Sequence, residues 1–148
     1  MELSVGDKAP LFEGKDQNGN IIKLEDFLGK KVILYFYPKD DTKGCTEQAC
    51  NLRDHHDLIQ KAGYTVIGIS PDSEKSHQKF IRKHELPFTL IADTEHLIAE
   101  IYDVWKEKSM YGKKYMGIIR TTFVIDEQGN ISEIIDKVKT TDHTAQIL

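Results

Sequence analysis

This sequence is poor in cysteine, with two in 148 residues, and carries a single tryptophan and four prolines. Two thiols cannot supply the disulfide framework of a small secreted domain, so the fold must stand on its core, and the pair suits a catalytic or metal-binding role better than a structural staple. A basic surplus is also missing. The net charge of −4 disfavours nucleic acid as a partner. No stretch approaches the roughly 20 apolar residues of a membrane helix, and Met1-Glu-Leu-Ser-Val-Gly-Asp7 has neither a basic region nor an apolar run. Internal repeats and low-complexity segments are absent as well. The expectation is a single domain over residues 1–148, located in the cytoplasm, whose 39% hydrophobic and 30% charged content is that of a globular protein.

What is present centres on the stretch Pro38 to Cys50. Val32 to Tyr37 (VILYFY) is an unbroken β-branched and aromatic run, the pattern of a strand buried on both faces, and Pro38 ends it. After a polar loop, Cys45, Ala49, Leu52, His56 and Ile59 recur at spacings that form one helical stripe, predicting a helix over about 45–61 with Gly63 past its end. Cys45 then lies in the first helical turn, where unpaired N–H groups and the positive end of the dipole favour an anion such as a nucleophilic thiolate. Cys50, five residues on, points about 140° away, with Cα atoms about 8.6 Å apart in an intact helix. A disulfide needs less than about 7 Å. The two sulfurs can therefore bond only if a turn or two unwinds, which describes a switchable redox pair.

Along the rest of the chain, Gln17-Asn18-Gly19 between short apolar runs predicts an N-terminal β-hairpin, 11–15 with 20–24, followed by a short turn at 25–29. Tyr64 to Ser70 predicts a strand that completes a βαβ unit with a parallel pair. Ser73 or Asp72 caps a helix carrying His77, Phe80, Ile81 and His84 on one side and ending at Leu86-Pro87, before a short strand at 88–92. Thr94 is the expected cap of the next helix, and residues 104–117, with Trp105 as an anchor, read as a charged, mobile loop. Residues 118–126 and 130–138 form a second hairpin. Thr140-Thr141-Asp142 caps a last, short helix. This order predicts an α/β chain: a thioredoxin-like fold with a mixed central sheet and helices on both faces.

The residues also carry a resemblance. Pro38, Thr42 and Cys45 complete the pattern P-x-x-x-T-x-x-C, and Cys45, Thr46, Gln48, Ala49 and Cys50 complete C-T-x-Q-A-C. With Trp105-Lys-Glu-Lys-Ser109, Gly117-Ile-Ile-Arg120 and Phe123-Val-Ile-Asp126, the chain resembles the peroxiredoxins nearly end to end, and most closely their bacterioferritin comigratory protein or peroxiredoxin Q subgroup. The resemblance implies a thiol peroxidase acting on hydrogen peroxide and organic hydroperoxides. In it Cys45 is the peroxidatic thiolate, Arg120 its charge partner, Thr42 a substrate contact, Pro38 a shield, and Cys50 the resolving thiol. It implies an intramolecular Cys45–Cys50 disulfide returned to thiols by thioredoxin or a similar dithiol reductant, and a monomer. Two departures stand out: Gln48 occupies a position where many peroxiredoxins carry glutamate, and the final helix is shorter than the family's.

Other readings of the same residues differ in what they require. A general thiol–disulfide oxidoreductase typically uses C-x-x-C, whereas four residues intervene here. Zinc on Cys45, Cys50, His55 and His56 needs converging ligands, and the two sulfurs diverge. His56 is expected to pack, His55 to face solvent, and His77, His84, His96 and His143 to be surface or capping residues. Arg120, on the residues alone, could equally be a strand-end charge paired with an acid.

Overall fold

The computed structural model describes residues 2–148. Its first strands, β1 (Glu13–Asp16) and β2 (Ile21–Lys23), form the expected hairpin, turning where Gly19 adopts φ +80, a conformation glycine enters without a Cβ clash. A single 3-10 turn, Leu24–Phe27, leads to the buried strand β3 (Lys31–Phe36). Next come α1 (Lys43–Asp54), α2 (His56–Lys61), β4 (Tyr64–Ser70), α3 (Glu74–His84), β5 (Thr89–Ala92) and α4 (Leu97–Ile101). The chain closes with β6 (Trp105–Met110), β7 (Lys113–Ile118), β8 (Thr121–Ile125), β9 (Ile131–Ile135) and α5 (His143–Ile147).

Seven strands make one sheet in the order β2-β1-β5-β4-β3-β8-β9. β3, β4 and β5 are parallel, and β1, β8 and β9 are antiparallel to their neighbours, giving the mixed sheet expected. Alternation along β3 sorts its side chains between two cores. Val32, Leu34 and Phe36 pack on one face with Ile98 and Ala99 of α4, while Ile33 and Tyr35, followed by Tyr37, meet Cys45, Ala49 and Leu52 of α1, Ile59 of α2, Phe80 of α3 and Ile147 of α5. Helices therefore cover both faces. None of them is long and apolar enough to cross a membrane.

Four local expectations need correction. The helix predicted over 45–61 breaks at His55, which leaves helical geometry at φ −109, ψ 15; its ring Nδ1 donates to the Asn51 carbonyl at 2.8 Å, competing there with its own backbone N–H and Thr144 Oγ1, both at 3.3 Å. Thr94 does not cap α4: His96 takes the N-cap position, and the Asp93 carboxylate, three residues before it, accepts from the N–H groups of Ile98 and Ala99 at 3.1 and 2.9 Å. Residues 104–117 are not a mobile loop but the two-stranded ribbon β6–β7, which pairs Trp105 with Ile118 and carries most of its side chains in solvent. The strand predicted over 118–126 is interrupted at Ile119-Arg120, where the chain leaves the ribbon and enters the main sheet as β8.

His77, His84, His96 and His143 were expected at the surface or on caps, and the fold uses them otherwise; His56 packs as expected. His77 is fully buried, its Nδ1 2.7 Å from Asp40 Oδ2 and its Nε2 donating to the Ile91 carbonyl. Asp40 also accepts from Tyr37 Oη at 2.6 Å and Ser76 Oγ at 2.8 Å, and its backbone N–H donates to Asp72. This network ties the loop after β3 to α3. His96 stacks on Trp105 with centroids 3.7 Å apart. His55, expected to face solvent, and His56 are both half-buried, the latter beside Phe88.

His143 is buried between α5 and β8. Its Nε2 accepts from Thr122 Oγ1 and its Nδ1 donates to Gln146 Oε1, both at 2.8 Å. Burial lowers its pKa below the ordinary histidine value; the Gln146 contact partly offsets this, and the Arg120 charge adds to it. A group held neutral in the folded state contributes stability above its unfolded pKa, about 6.5, that is lost as pH falls toward the lowered folded value. The thermal midpoint of the reduced protein is therefore expected to drop on acidification below about pH 6.5. His143→Asn should flatten that part of the profile, and parallel profiles in the two proteins would contradict the assignment.

Candidate active site

Cys45 sits in the first turn of α1, 1% exposed, at the end of a loop that β3 and Pro38 deliver. Thr42 is the N-cap by backbone geometry, but its hydroxyl donates to the Lys39 carbonyl at 2.8 Å and does not cap the helix. The N–H groups of the first turn have no intrahelical acceptors, and no acidic side chain lies among them. The dipole end thus faces the sulfur without a competing carboxylate.

Arg120 arrives from the break between β7 and β8, just before β8 pairs with β3. The kink between β7 and β8, with Thr121 Oγ1 donating to the Ile119 carbonyl, swings its guanidinium over α1. Nη2 donates to Cys45 Sγ at 3.3 Å, and Nη1 to Gln48 Oε1 at 2.7 Å. Gly44 leaves room for this approach: a Cβ there would lie 3.2 Å from Nη2, a tight contact that the guanidinium would have to shift to relieve. Gln48 is fully buried one turn after Cys45. A carboxylate in its place would compete with the sulfur for the arginine's charge; the neutral amide orients the fork and leaves that charge available.

Two further side chains lie close enough to feel the charges of Cys45 and Arg120. Tyr35, from β3, is buried with its hydroxyl unpartnered, and its pKa is raised first by burial and next by the negative charge Cys45 can carry, so it remains a phenol with an O–H to donate. Lys108 of β6 donates to the Ile118 carbonyl at 2.8 Å, and its pKa is lowered by burial first and the Arg120 charge second. Sequence reading missed both. Tyr35 was hidden in an apolar run and Lys108 in what looked like a solvated loop.

Of the five residues singled out from sequence, the fold brings Cys45 and Arg120 into contact, with Thr42 exposed at the loop end and Pro38 half-buried behind it. Cys50 is not among them. It lies half-buried on another side of α1, both cysteines are free thiols, and its sulfur is 3.8 Å from His84 Nδ1. The divergence expected from helical spacing is present, and the helix start must open before the sulfurs can meet. Beyond Cys50 the helix is pinned: Asn51 Oδ1 accepts from Thr144 N–H and Oγ1 at 2.8 and 2.7 Å, and Arg53 Nη1 donates to the His84 carbonyl at 2.7 Å.

Residues 5–134 match the AhpC/TSA family. Peroxiredoxin Bcp of Bacillus subtilis is 49% identical over 148 residues, covering 100% of this chain and 94% of that protein. A cysteine-to-serine mutant of Xylella fastidiosa PrxQ superposes with a TM-score of 0.92 at 30% identity, over 99% of this chain and 94% of the other. The Xanthomonas campestris bacterioferritin comigratory protein, solved in trapped intermediate and ligand complexes bearing on its alkyl peroxide reduction activity, gives 0.88 at 32% identity over 95% and 94%. With an arginine-paired cysteine at a helix start and likeness along the whole chain, this protein belongs to the AhpC/TSA family and, within it, to the peroxiredoxins.

Proposed function

We propose that the protein reduces hydrogen peroxide and organic hydroperoxides through Cys45, with Cys50 as the resolving thiol. The observation that carries this reading is the Arg120 Nη2 contact on the Cys45 sulfur at 3.3 Å, in a first helical turn free of acidic side chains. The Cys45 thiolate attacks one peroxide oxygen. The O–O bond breaks, sulfur gives up two electrons and becomes a sulfenic acid, and the leaving oxygen takes a proton to depart as water or alcohol. Arg120 and the first-turn N–H groups hold the oxygens as negative charge passes to the leaving one. Thr42, whose hydroxyl proton is committed to the Lys39 carbonyl, keeps its oxygen free to accept the hydroperoxide O–H. Pro38 screens the sulfur from bulk water.

Resolution follows by unwinding residues 43–50. That segment holds Gly44, Thr46 and two cysteines, all poor helix formers, and lacks a side-chain cap, whereas Asn51 anchors the helix beyond it to α5. Cys50 then attacks the sulfenic sulfur, forming the intramolecular disulfide and releasing water. A dithiol protein of the thioredoxin type is the reductant this chemistry calls for. The chain is read as a cytoplasmic monomer.

Stopped-flow mixing of the reduced protein with hydrogen peroxide and with an organic hydroperoxide tests the reading. A fast phase linear in oxidant, followed by an oxidant-independent phase, is expected with both. Cys50→Ser should consume about one equivalent and stop at a sulfenic acid. Absence of any oxidant-dependent phase would overturn the proposal.

A further inference from the structure

Cys50 does not stand alone on its side of α1. His84, in the last turn of α3, places Nδ1 3.8 Å from the Cys50 sulfur and Nε2 3.4 Å from Asp41 Oδ1. A carboxylate oxygen can only accept, so Nε2 carries the proton and Nδ1 turns its lone pair toward the thiol. Asp41 is held in place by Lys83, 2.8 Å from Oδ2, and adopts φ +60, a left-handed conformation uncommon for residues other than glycine. His84 is itself fixed by Arg53, which donates to its carbonyl, and by the edge of Phe80. Thiol, imidazole and carboxylate are thus aligned in the order that activates a nucleophile, but on the resolving cysteine.

We propose that His84 is the base for Cys50 and that Asp41 is its positioning residue. This rests on the peroxidase reading above and extends it to the second half of the cycle. As the helix begins to open, His84 takes the S–H proton from Cys50, and the last turn of α3, a carbonyl end, favours the cation that forms there. When residues 43–50 unwind, Cys50 leaves as a thiolate and attacks the sulfenic sulfur of Cys45. The S–S bond forms as the S–O bond breaks, and the departing hydroxide receives the proton that His84 returns through solvent, leaving water. No external oxidant or reductant enters this step.

The charged groups facing this relay are Asp41 from the loop, Arg53 from α1 with its ion-pair partner Asp54 at 2.9 Å, Lys83 on the helix of His84, and Glu85, which also acts on Arg53. The test is independent of peroxide. In a Cys45→Ser background Cys50 is the only thiol, and its alkylation by iodoacetamide at about pH 7 should slow at least fivefold when His84→Gln is added, because only the thiolate reacts. The pH–rate profile should also steepen toward about tenfold per unit. Lost packing or altered exposure would instead scale the rate equally at every pH. Asp41→Asn, at an exposed loop position, should slow alkylation roughly two- to threefold with the same change of profile. In the otherwise native protein, His84→Gln should slow the oxidant-independent phase and leave the oxidant-dependent one unchanged. Equal alkylation rates with parallel profiles would overturn the assignment of His84 without touching the chemistry of Cys45. A native protein with no oxidant-dependent phase would remove the reading beneath it, a result the alkylation assay cannot produce.

Discussion

Replacing Cys45 with serine is expected to lower the rate of hydroperoxide consumption by more than about a thousandfold, to the level of an incidental surface thiol. Serine differs by one atom and fits the same buried position, so the fold should survive, with a thermal midpoint within a few degrees of the parent. What disappears is a sulfur that, as a thiolate, can give two electrons to oxygen. Cys50 cannot substitute. It has its histidine neighbour, but the nearby Arg53 guanidinium is committed to the His84 carbonyl and to Asp54, and no ring of helix-start N–H groups is there to hold the leaving oxygen. Peroxide consumption measured with a coupled reductant checks the loss, and retention of more than about a tenth of the parent rate would contradict the role of Cys45.

The second large effect belongs to Arg120. Arg120→Met keeps most of the side-chain volume while removing both donors, those to Cys45 Sγ and Gln48 Oε1. Losing one well-placed donor to a developing oxyanion costs about a hundred- to a thousandfold. Arg120 touches Cys45 Sγ and, in the proposed mechanism, holds the leaving oxygen, so the rate constant of the oxidant-dependent phase should fall by about that factor. The later, oxidant-independent phase should be nearly unchanged, because resolution occurs after Cys45 has left the arginine. Lysine is not an adequate replacement: it brings a point charge but not the fork that spans sulfur and amide. A variant that slows both phases equally would indicate a general structural role instead.

The parts of this arrangement that were legible in sequence are those whose signal is local. The buried run 32–37, the helical stripe from Cys45 to Ile59, and the turn at Asn18-Gly19 each carry their period or their turn chemistry within a few residues, and the two half-cores follow from them. The ribbon β6–β7 was not legible because it has no core face: with both sides largely in solvent, Trp105–Met110 and Lys113–Ile118 show no alternation to read. Asp93 was masked by Thr94, an equally good cap by type, and only the backbone decides between them. Arg120 was identified through resemblance alone, since its contact with Cys45 spans 75 residues and depends on a kink that strand periodicity does not encode. The neighbours of Cys50 lay deeper still. His84 is 34 residues away and is brought back by the parallel crossover between β4 and β5, so nothing near Cys50 in the chain announces it.

Read as one cycle, the site divides its chemistry between two sides of a single helix. On the proposed mechanism, one side stabilises an anion and a leaving oxygen, and the other holds a thiol in reserve until the helix opens. Mass spectrometry of the native protein after one equivalent of hydrogen peroxide tests this most directly. The account predicts a species lighter by two hydrogens, with one disulfide joining the peptides that carry Cys45 and Cys50. Recovery of both cysteines as free thiols, or of Cys45 carrying oxygen with Cys50 still reduced, would contradict it.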